Sequence, residues 1–316
     1  MGRVVGVLKS RKARIGVNAA FVAVALAVTG LTIRHFVHHG WPLHEADPVL
    51  VSTAAVLFVL GYAFKAIGWQ YLFPPEQRPS SMNLAAAGGA ASVGGIALPG
   101  RFDEAIRIAV VRKAPGKRVG LGVIGLSLIV LGWIDSAALT PLASVAAVAS
   151  HKPGVQIGFA ALAGIGVVAA GAVVALPLLA RTVLRRFKIS RWVDEHCACP
   201  REASKAWLCV TVSWGLRGTA VFVLLHGLAV GASFPLALGF LCASAASAAL
   251  PIAPAGAATQ AGAGAAILAA AGVSTTKAIA FGVAAQALVI LAGAVCVLAA
   301  AGWHAAMRLR PTPSTT

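Results

Sequence analysis

The stretch GVQIGFAALAGIGVVAAGAVVALPLLA, at positions 154–180, contains no charged side chain. It is longer than the roughly 20 residues with which an α-helix crosses the hydrocarbon of a bilayer. Further apolar stretches recur at 15–33, 48–73, 119–150, 206–230, 235–252 and 278–303. Because membrane strands alternate apolar and polar residues, continuous runs of this kind predict membrane helices.

The composition of the whole chain agrees with this prediction. Of the 316 residues, 59% are hydrophobic and 11% are charged, and the mean hydropathy is +0.86. A soluble domain has about 25% charged residues to cover its surface. We therefore predict an all-α fold, a polytopic membrane helical bundle.

The net charge of +17 would indicate nucleic-acid binding in a soluble protein, but here the positions of the cations indicate membrane orientation. With the N-terminus in the cytoplasm, nearly all Lys and Arg residues fall on the cytoplasmic side, in the two termini and in loops 78–118 and 181–205. The exceptions are Arg34, Lys65, Lys152, Arg217 and Lys277. We expect a bacterial-type inner (plasma) membrane protein with both termini cytoplasmic and no nucleic-acid partner.

Two segments rich in small residues differ from the other apolar stretches. The first contains NLAAAGGAASVGGIALP and ends at Pro99, and the second contains ALPIAPAG, with Pro251, Pro254 and Gly256. Proline and glycine break helices, and such breaks at membrane depth are tolerated where protein or a cavity covers the freed backbone. We predict two re-entrant helical hairpins shaped by these residues, at about 83–113 and 236–272.

The two broken segments also resemble each other. IALP ends at Pro99 and AALP ends at Pro251, about half the chain apart, and each precedes a helix, a glycine-containing turn and a span. Three full crossings in each half would invert the second copy, as in many transporters. The alternative is two unrelated proline-kinked spans. The predicted organisation is a basic cytoplasmic N-terminus, two membrane repeats and a cytoplasmic tail, at 1–14, 15–150, 154–303 and 304–316.

The segment LPGRFDEAIR, at positions 98–107, opens a short charged helix beside the first hairpin. Arg101, Glu104 and Arg107 are spaced by three residues and so share one helix face. Two arginines restrained by a carboxylate are suited to binding an anionic lipid headgroup. The alternative is an interfacial helix whose long side chains merely reach the membrane surface.

Three ionisable residues fall at membrane depth, where an unpaired charge is costly. Asp135 and Arg217 lie near the middle of their spans, so we predict that they pair across the bundle or line a common cavity. Lys65 lies two turns from the inner end of its span, and reaching to the interface is its simpler interpretation. A structural pair and a substrate site both remain open, so all three are candidate lipid-binding residues with Arg101, Glu104 and Arg107.

The chain carries no familiar catalytic motif: it has no Walker lysine motif, no Gly-x-Ser-x-Gly and no His-Glu-x-x-His. We expect no catalytic residue, no metal and no cofactor. The acidic pair Glu45 and Asp47 resembles the pair with which membrane glycosyltransferases hold a lipid-linked sugar through a divalent cation. It keeps an intramembrane glycosyl- or lipid transferase open as a minor alternative.

Several of these features together resemble the lysylphosphatidylglycerol synthase transmembrane family, also called flippase-like proteins, over about residues 15–303. They are the Pro99 to Arg107 segment, Asp135, the Pro251 to Gly256 segment and Trp69. The resemblance implies a bacterial or archaeal inner-membrane protein that moves aminoacylated or glycosylated lipids, or polyprenyl-linked intermediates, between leaflets. Some members carry a cytoplasmic aminoacyltransferase domain after the membrane part. This sequence contains no such domain, so we expect no lysyl transfer by it.

The chain departs from the family pattern in its second half above all. Leu131-Gly132 stands where the family has Glu-Arg. Ala255 replaces a glycine, Gln260-Ala261 stands where a glutamate is usual, and Gln286 replaces an arginine. The second hairpin has therefore lost the charges that the family places there.

These observations predict a membrane translocator of an anionic phospholipid or a lipid-linked intermediate. With no nucleotide motif, a gradient or simple equilibration would drive it. The main alternative is a membrane-anchoring or regulatory subunit for a separate lipid-modifying enzyme. The expected partners are membrane lipids, and the sequence leaves open a homo-oligomer or a partner enzyme.

Overall fold

We describe the chain from a computed structural model. The structure describes residues 34, 43, 45–95, 102–114, 119–150, 152–181, 192, 199–231, 233–249 and 256–308. Within these ranges the chain forms α-helices and no strand. In chain order they are α1 Pro48–Gln70, α2 Ser81–Gly94, α3 Phe102–Lys113, α4 Leu121–Ala149, α5 Pro153–Arg181, α6 Pro200–Gly227, α7 Phe234–Ala249, α8 Gly256–Ala270 and α9 Thr275–Arg308, with a single 3-10 turn at Pro75–Gln77.

The helices are of two kinds, long and short. Five described helices are long and apolar enough to cross a bilayer, namely α1, α4, α5, α6 and α9. The other four, α2, α3, α7 and α8, have 12 to 16 residues. The prediction of an all-α, polytopic helical bundle is confirmed, and the chain is a multi-pass membrane protein.

The short helices form two packed pairs at the places where the sequence predicted helix breaks. α2 packs against α3, with Ile106 seated on Gly94, and α7 packs against α8, where Ser244 Oγ donates to the carbonyl of Gln260 at 2.9 Å. The joining segments lie outside the described residues, and with them the predicted positions Pro99, Pro251 and Pro254. Gly256 begins α8. Re-entry into the membrane and the inverted repeat stay predictions.

Close contact between α1 and α6 forms the centre of the bundle. At Gly68, an added Cβ would lie 2.9 Å from Val210 Cγ2 and 3.0 Å from the Ala206 carbonyl. Two turns earlier, the buried Ser213 hydroxyl donates to the Gly61 carbonyl at 2.7 Å. Small residues let membrane helices approach until their backbones touch, and van der Waals packing then holds them.

A second glycine contact joins a short helix to the last span. Gly89 of α2 faces Gly293 of α9, where a Cβ on Gly293 would lie 3.0 Å from the Gly89 carbonyl. Near the end of the same interface, His304 Nε2 lies 2.7 Å from Asn83 Oδ1. The pair of α2 and α3 is therefore fixed to the bundle mainly through α2.

The close approach at Gly68 gives a stability prediction. We expect Gly68→Val to lower the stability of the folded state by about 1–3 kcal/mol, because the added methyl groups would force α1 away from α6. The measurement is the thermal unfolding midpoint of the purified protein in detergent. Gly171→Val is the matched control, since Gly171 lies in a span and a Cβ there would meet nothing within 4 Å. Equal midpoints for the two variants would contradict the packing described here.

Candidate functional site

A cavity of about 800 Å³ lies at the centre of the helices. Every described helix except α5 contributes to its wall. Six charged residues among those that the structure describes line it: Lys65, Asp103, Glu104, Arg107, Asp135 and Arg217. The structure thus brings five of the six candidate lipid-binding residues to one space, and the sixth, Arg101, lies outside the described residues.

Asp135 of α4 is the point at which three spans are joined. Lys65 Nζ of α1 lies 2.7 Å from one carboxylate oxygen of Asp135, and Trp214 Nε1 of α6 donates to the other oxygen at 3.0 Å. The side chains of Lys65 and Asp135 are only 19% and 21% exposed. One oxygen of the carboxylate is therefore paired with the Lys65 ammonium, and the other accepts a hydrogen bond from the Trp214 indole.

This geometry corrects one interpretation and selects between two others. The interpretation of Lys65 as a side chain that merely reaches to the interface is wrong, because its ammonium pairs with Asp135 inside the bundle. Asp135 and Arg217 do line a common cavity, as one of the two predicted arrangements required. The other arrangement, a direct pair, is not observed, because Lys65 and Trp214 take both oxygens of the carboxylate.

Arg217 of α6 lies between aromatic rings instead. Its guanidinium carbon is 5.0 Å from the centre of the Tyr62 ring and 5.3 Å from the centre of the Trp214 ring. Arginine over an aromatic face gains a favourable electrostatic contact when it is removed from water. Its Nε is buried and has no hydrogen-bond partner in the described part of the chain, where it also forms no ion pair with a carboxylate. The two aromatic rings thus hold this cation, and no carboxylate of the described residues forms an ion pair with it.

Arg107 of α3 lines the cavity, and its side chain is 27% exposed. Its guanidinium lies 3.5 Å from the carboxylate of Asp103, one helical turn earlier. The sequence pointed to Glu104 as the residue that restrains the arginines, and Glu104 also lines the cavity. Asp103 is the acid that sequence reasoning missed, although its spacing of four residues from Arg107 was visible.

The aromatic residues of the site were also missed. Tyr62 precedes Lys65 by three residues in α1, and Trp214 precedes Arg217 by three residues in α6. Residues at this spacing share a helix face, so each cation at membrane depth has an aromatic ring beside it. An aromatic residue three positions before each of these cations was the sequence signal that could have identified Tyr62 and Trp214.

The helices after α6 add polar but uncharged groups to the cavity. Thr259 and Gln260 of α8 line it, as does Gln286 of α9. Gln260 and Gln286 stand at places where the sequence departs from the family pattern. The charges of the cavity therefore come from α1, α3, α4 and α6.

The acidic pair Glu45 and Asp47 lies away from this cavity. The Asp47 carboxylate caps α1, since it accepts hydrogen bonds from the backbone amides of Val49 at 2.8 Å and Leu50 at 3.3 Å. Glu45 is exposed. In the part of the chain that the structure describes, no three His, Cys, Asp or Glu residues are grouped as metal ligands. Helix capping accounts for Asp47.

Comparison with known families gives a match to the family described as lysylphosphatidylglycerol synthase TM region, over residues 13–300. The chain belongs to this family. No significant match was found among curated proteins or among solved structures. Membership makes the chain a membrane protein of lipid metabolism or transport, and the matched region is the transmembrane region rather than a catalytic domain.

The pairing at Asp135 gives a prediction about stability. We expect Asp135→Leu to destabilise the protein by about 3 kcal/mol, because it leaves the Lys65 ammonium without its partner at membrane depth. The double variant Lys65→Met/Asp135→Leu should recover most of that loss, since it removes both charges together. Thermal unfolding in detergent measures both effects. A double variant no more stable than Asp135→Leu alone would show that the ion pair is not what joins α1 to α4.

Proposed function

We propose that this protein is a flippase-like translocator, which moves an anionic phospholipid or a lipid-linked intermediate between the leaflets of a bacterial-type inner membrane. The observation that carries the proposal is Arg217, a cation in a central cavity with no carboxylate partner among the described residues. An anionic group from the substrate would neutralise it. A lipid phosphate offers the oxygens that a planar guanidinium binds in pairs.

The pairing of the charges in the cavity, rather than their sum, favours an anion at one position, because the three cations and three acids among the described lining residues balance. Lys65 is paired with Asp135, and Arg107 is paired with Asp103. Arg217 is the cation that remains, and the aromatic rings of Tyr62 and Trp214 keep it in place without cancelling its charge. A phosphate bound at Arg217 would also lie near the Lys65 ammonium, because both cations lie over the Trp214 ring, at 5.3 and 5.6 Å from its centre.

The construction of the cavity favours movement over static binding. Its walls come from α1 to α4 in the first half of the chain and from α6 to α9 in the second. In the predicted inverted repeat, two halves of opposite orientation would meet at this site, which would allow it to face each side of the membrane in turn. In this proposal both termini are cytoplasmic, and a gradient or equilibration drives the movement.

The proposal predicts the effect of removing the unpaired cation. In liposomes of phosphatidylcholine with labelled phosphatidylglycerol, Arg217→Gln should slow transfer between leaflets about 10- to 100-fold, the equivalent of a lost charge-assisted hydrogen bond. Arg78→Gln is the matched control, because Arg78 also lies over an aromatic ring, that of Tyr71, but outside the cavity. Labelled polyprenyl phosphate, tested in parallel, separates the two classes of substrate.

Two outcomes would contradict the proposal. One is transfer by Arg217→Gln at the wild-type rate. The other is the absence of transfer of any tested lipid by the wild-type protein. The second outcome would favour the alternative of a subunit for a separate lipid-modifying enzyme, which the family description supports because it names the membrane region of a synthase. Co-purification of such an enzyme would then decide for that alternative.

A further inference from the structure

We propose that the acyl chains of the transported lipid occupy a side window of the cavity, between α3 and α4, so that only the headgroup enters the protein. The window is defined by Glu104 and Ile108 on α3 and by Gly125, Ile129 and Gly132 on α4. This inference rests on the proposed function and names its substrate class: a lipid with its tails in the bilayer, rather than a water-soluble anion.

Within the described part of the chain, no side chain closes the α4 edge of the window. Gly125 and Gly132 both line the cavity, and a Cβ on either would meet nothing within 4 Å. They are seven residues apart and so lie on the same face of α4, two turns from each other. Between them Ile129 lines the cavity although its residue is 56% exposed. A residue that lines a cavity and is also exposed marks a place where the cavity opens; Glu104 and Gly132 beside the window and Ala248 at the end of α7 share this property.

The α3 edge of the window is fixed mainly by the contacts of α3 with α2. Among the residues of α3 only Val111 is buried, and the helix packs mainly against α2 and lightly against α4. The corresponding helices of the second half touch closely: a Cβ on Gly282 of α9 would lie 2.7 Å from the Ala261 carbonyl of α8. Among the described residues, the side of α3 and α4 is therefore an open side of the cavity wall, and it is also the side that carries most of the lining charges.

The window lies at a depth in the membrane where the acyl chains of lipids are found. Ile129 lies eight residues after Leu121, the first residue of α4, which corresponds to about 12 Å along the helix axis. A hydrocarbon core about 30 Å thick places that level within the lipid tails when α4 begins near the membrane surface. The Arg107 side chain is 27% exposed whereas the Arg217 Nε is buried, and both line the cavity, so a lipid in the window would meet apolar residues with its tails and cations with its phosphate.

The size of the cavity also indicates that the headgroup enters the cavity and that the acyl chains stay outside it. Pockets of about 300–1,000 Å³ enclose a ligand of drug size, and the cavity has about 800 Å³. A phosphate with a glycerol or sugar fits this volume. Two acyl chains, each about as long as half the hydrocarbon core, or roughly 15 Å, extend beyond it. The chains must leave through a wall, and the α3–α4 window is where the described wall is open.

Filling the window tests the inference by function. We expect Gly125→Phe/Gly132→Phe to slow transfer of labelled phosphatidylglycerol at least about tenfold, because two aromatic rings would occupy the opening. The control is Gly164→Phe/Gly171→Phe on α5, where both glycines are exposed and have nothing within 4 Å but lie far from the cavity wall. Wild-type rates in the window variant, with an unfolding midpoint like that of the control, would overturn the inference.

Photolabelling of the wild-type protein tests the window without depending on transport or on a variant that folds. The probe is phosphatidylglycerol with a diazirine in an acyl chain, diluted in phosphatidylcholine, and labelled peptides are identified by mass spectrometry. We expect label on Phe102–Lys113 and around Ile129, displaced by unlabelled phosphatidylglycerol but not by phosphatidylcholine. Label around Val168 of α5, which is 73% exposed, should not be displaced.

The outcomes of this labelling separate the two proposals. Selective displacement at the window supports the inference even when the wild-type protein transfers no lipid, a result that would refute the translocator function alone. Displacement that is the same at Ile129 and at Val168, or absent at both, would overturn the window as a lipid site.

Discussion

The carboxylate of Asp135 is the constraint on which the rest of the site depends. A charge at membrane depth must be paired, and here Lys65 from α1 and the indole of Trp214 from α6 supply the partners. The three spans are thereby fixed around one point. Because the partners of Asp135 come from α1 and α6, Arg217 is left over on the same face of α6 as Trp214. The unpaired cation in the cavity is a consequence of how the carboxylate is satisfied.

Packing by small residues makes this arrangement possible. Gly61 and Gly68 bring α1 against α6, and Arg217 passes directly over Gly61, where an added Cβ would lie 3.1 Å from its Cγ. A larger residue at Gly61 would push the guanidinium away from Tyr62. Gly125 and Gly132 also lack side chains, but at these positions the small residues leave open space at the cavity edge instead of forming a helix contact. Small residues thus serve as contacts in the centre and as an opening at the side.

The sequence predicted the class of fold and the cavity residues better than their partners. Hydropathy alone identifies the long helices, since the length of each apolar stretch is set by the bilayer. It also marks Lys65, Asp135 and Arg217 as unusual, because charge at that depth is costly. It does not tell which of two cations meets Asp135, since that depends on the rotation of α1 and α6 about their axes. Helical spacing relates Asp103 to Arg107 and each of the two aromatic residues to a cation, but such spacing is common on helices that have no site, so it did not single these residues out.

The central claim is that the phosphate of a lipid binds at Arg217 within the cavity. A cryo-EM structure of the protein in nanodiscs containing phosphatidylglycerol tests it most directly. Our account predicts density for a phosphate within hydrogen-bond distance of the Arg217 guanidinium, with the acyl chains leaving between α3 and α4. Density that shows Arg217 paired with a carboxylate of the chain, and lipid phosphates only on the outer surface of the bundle, would contradict it.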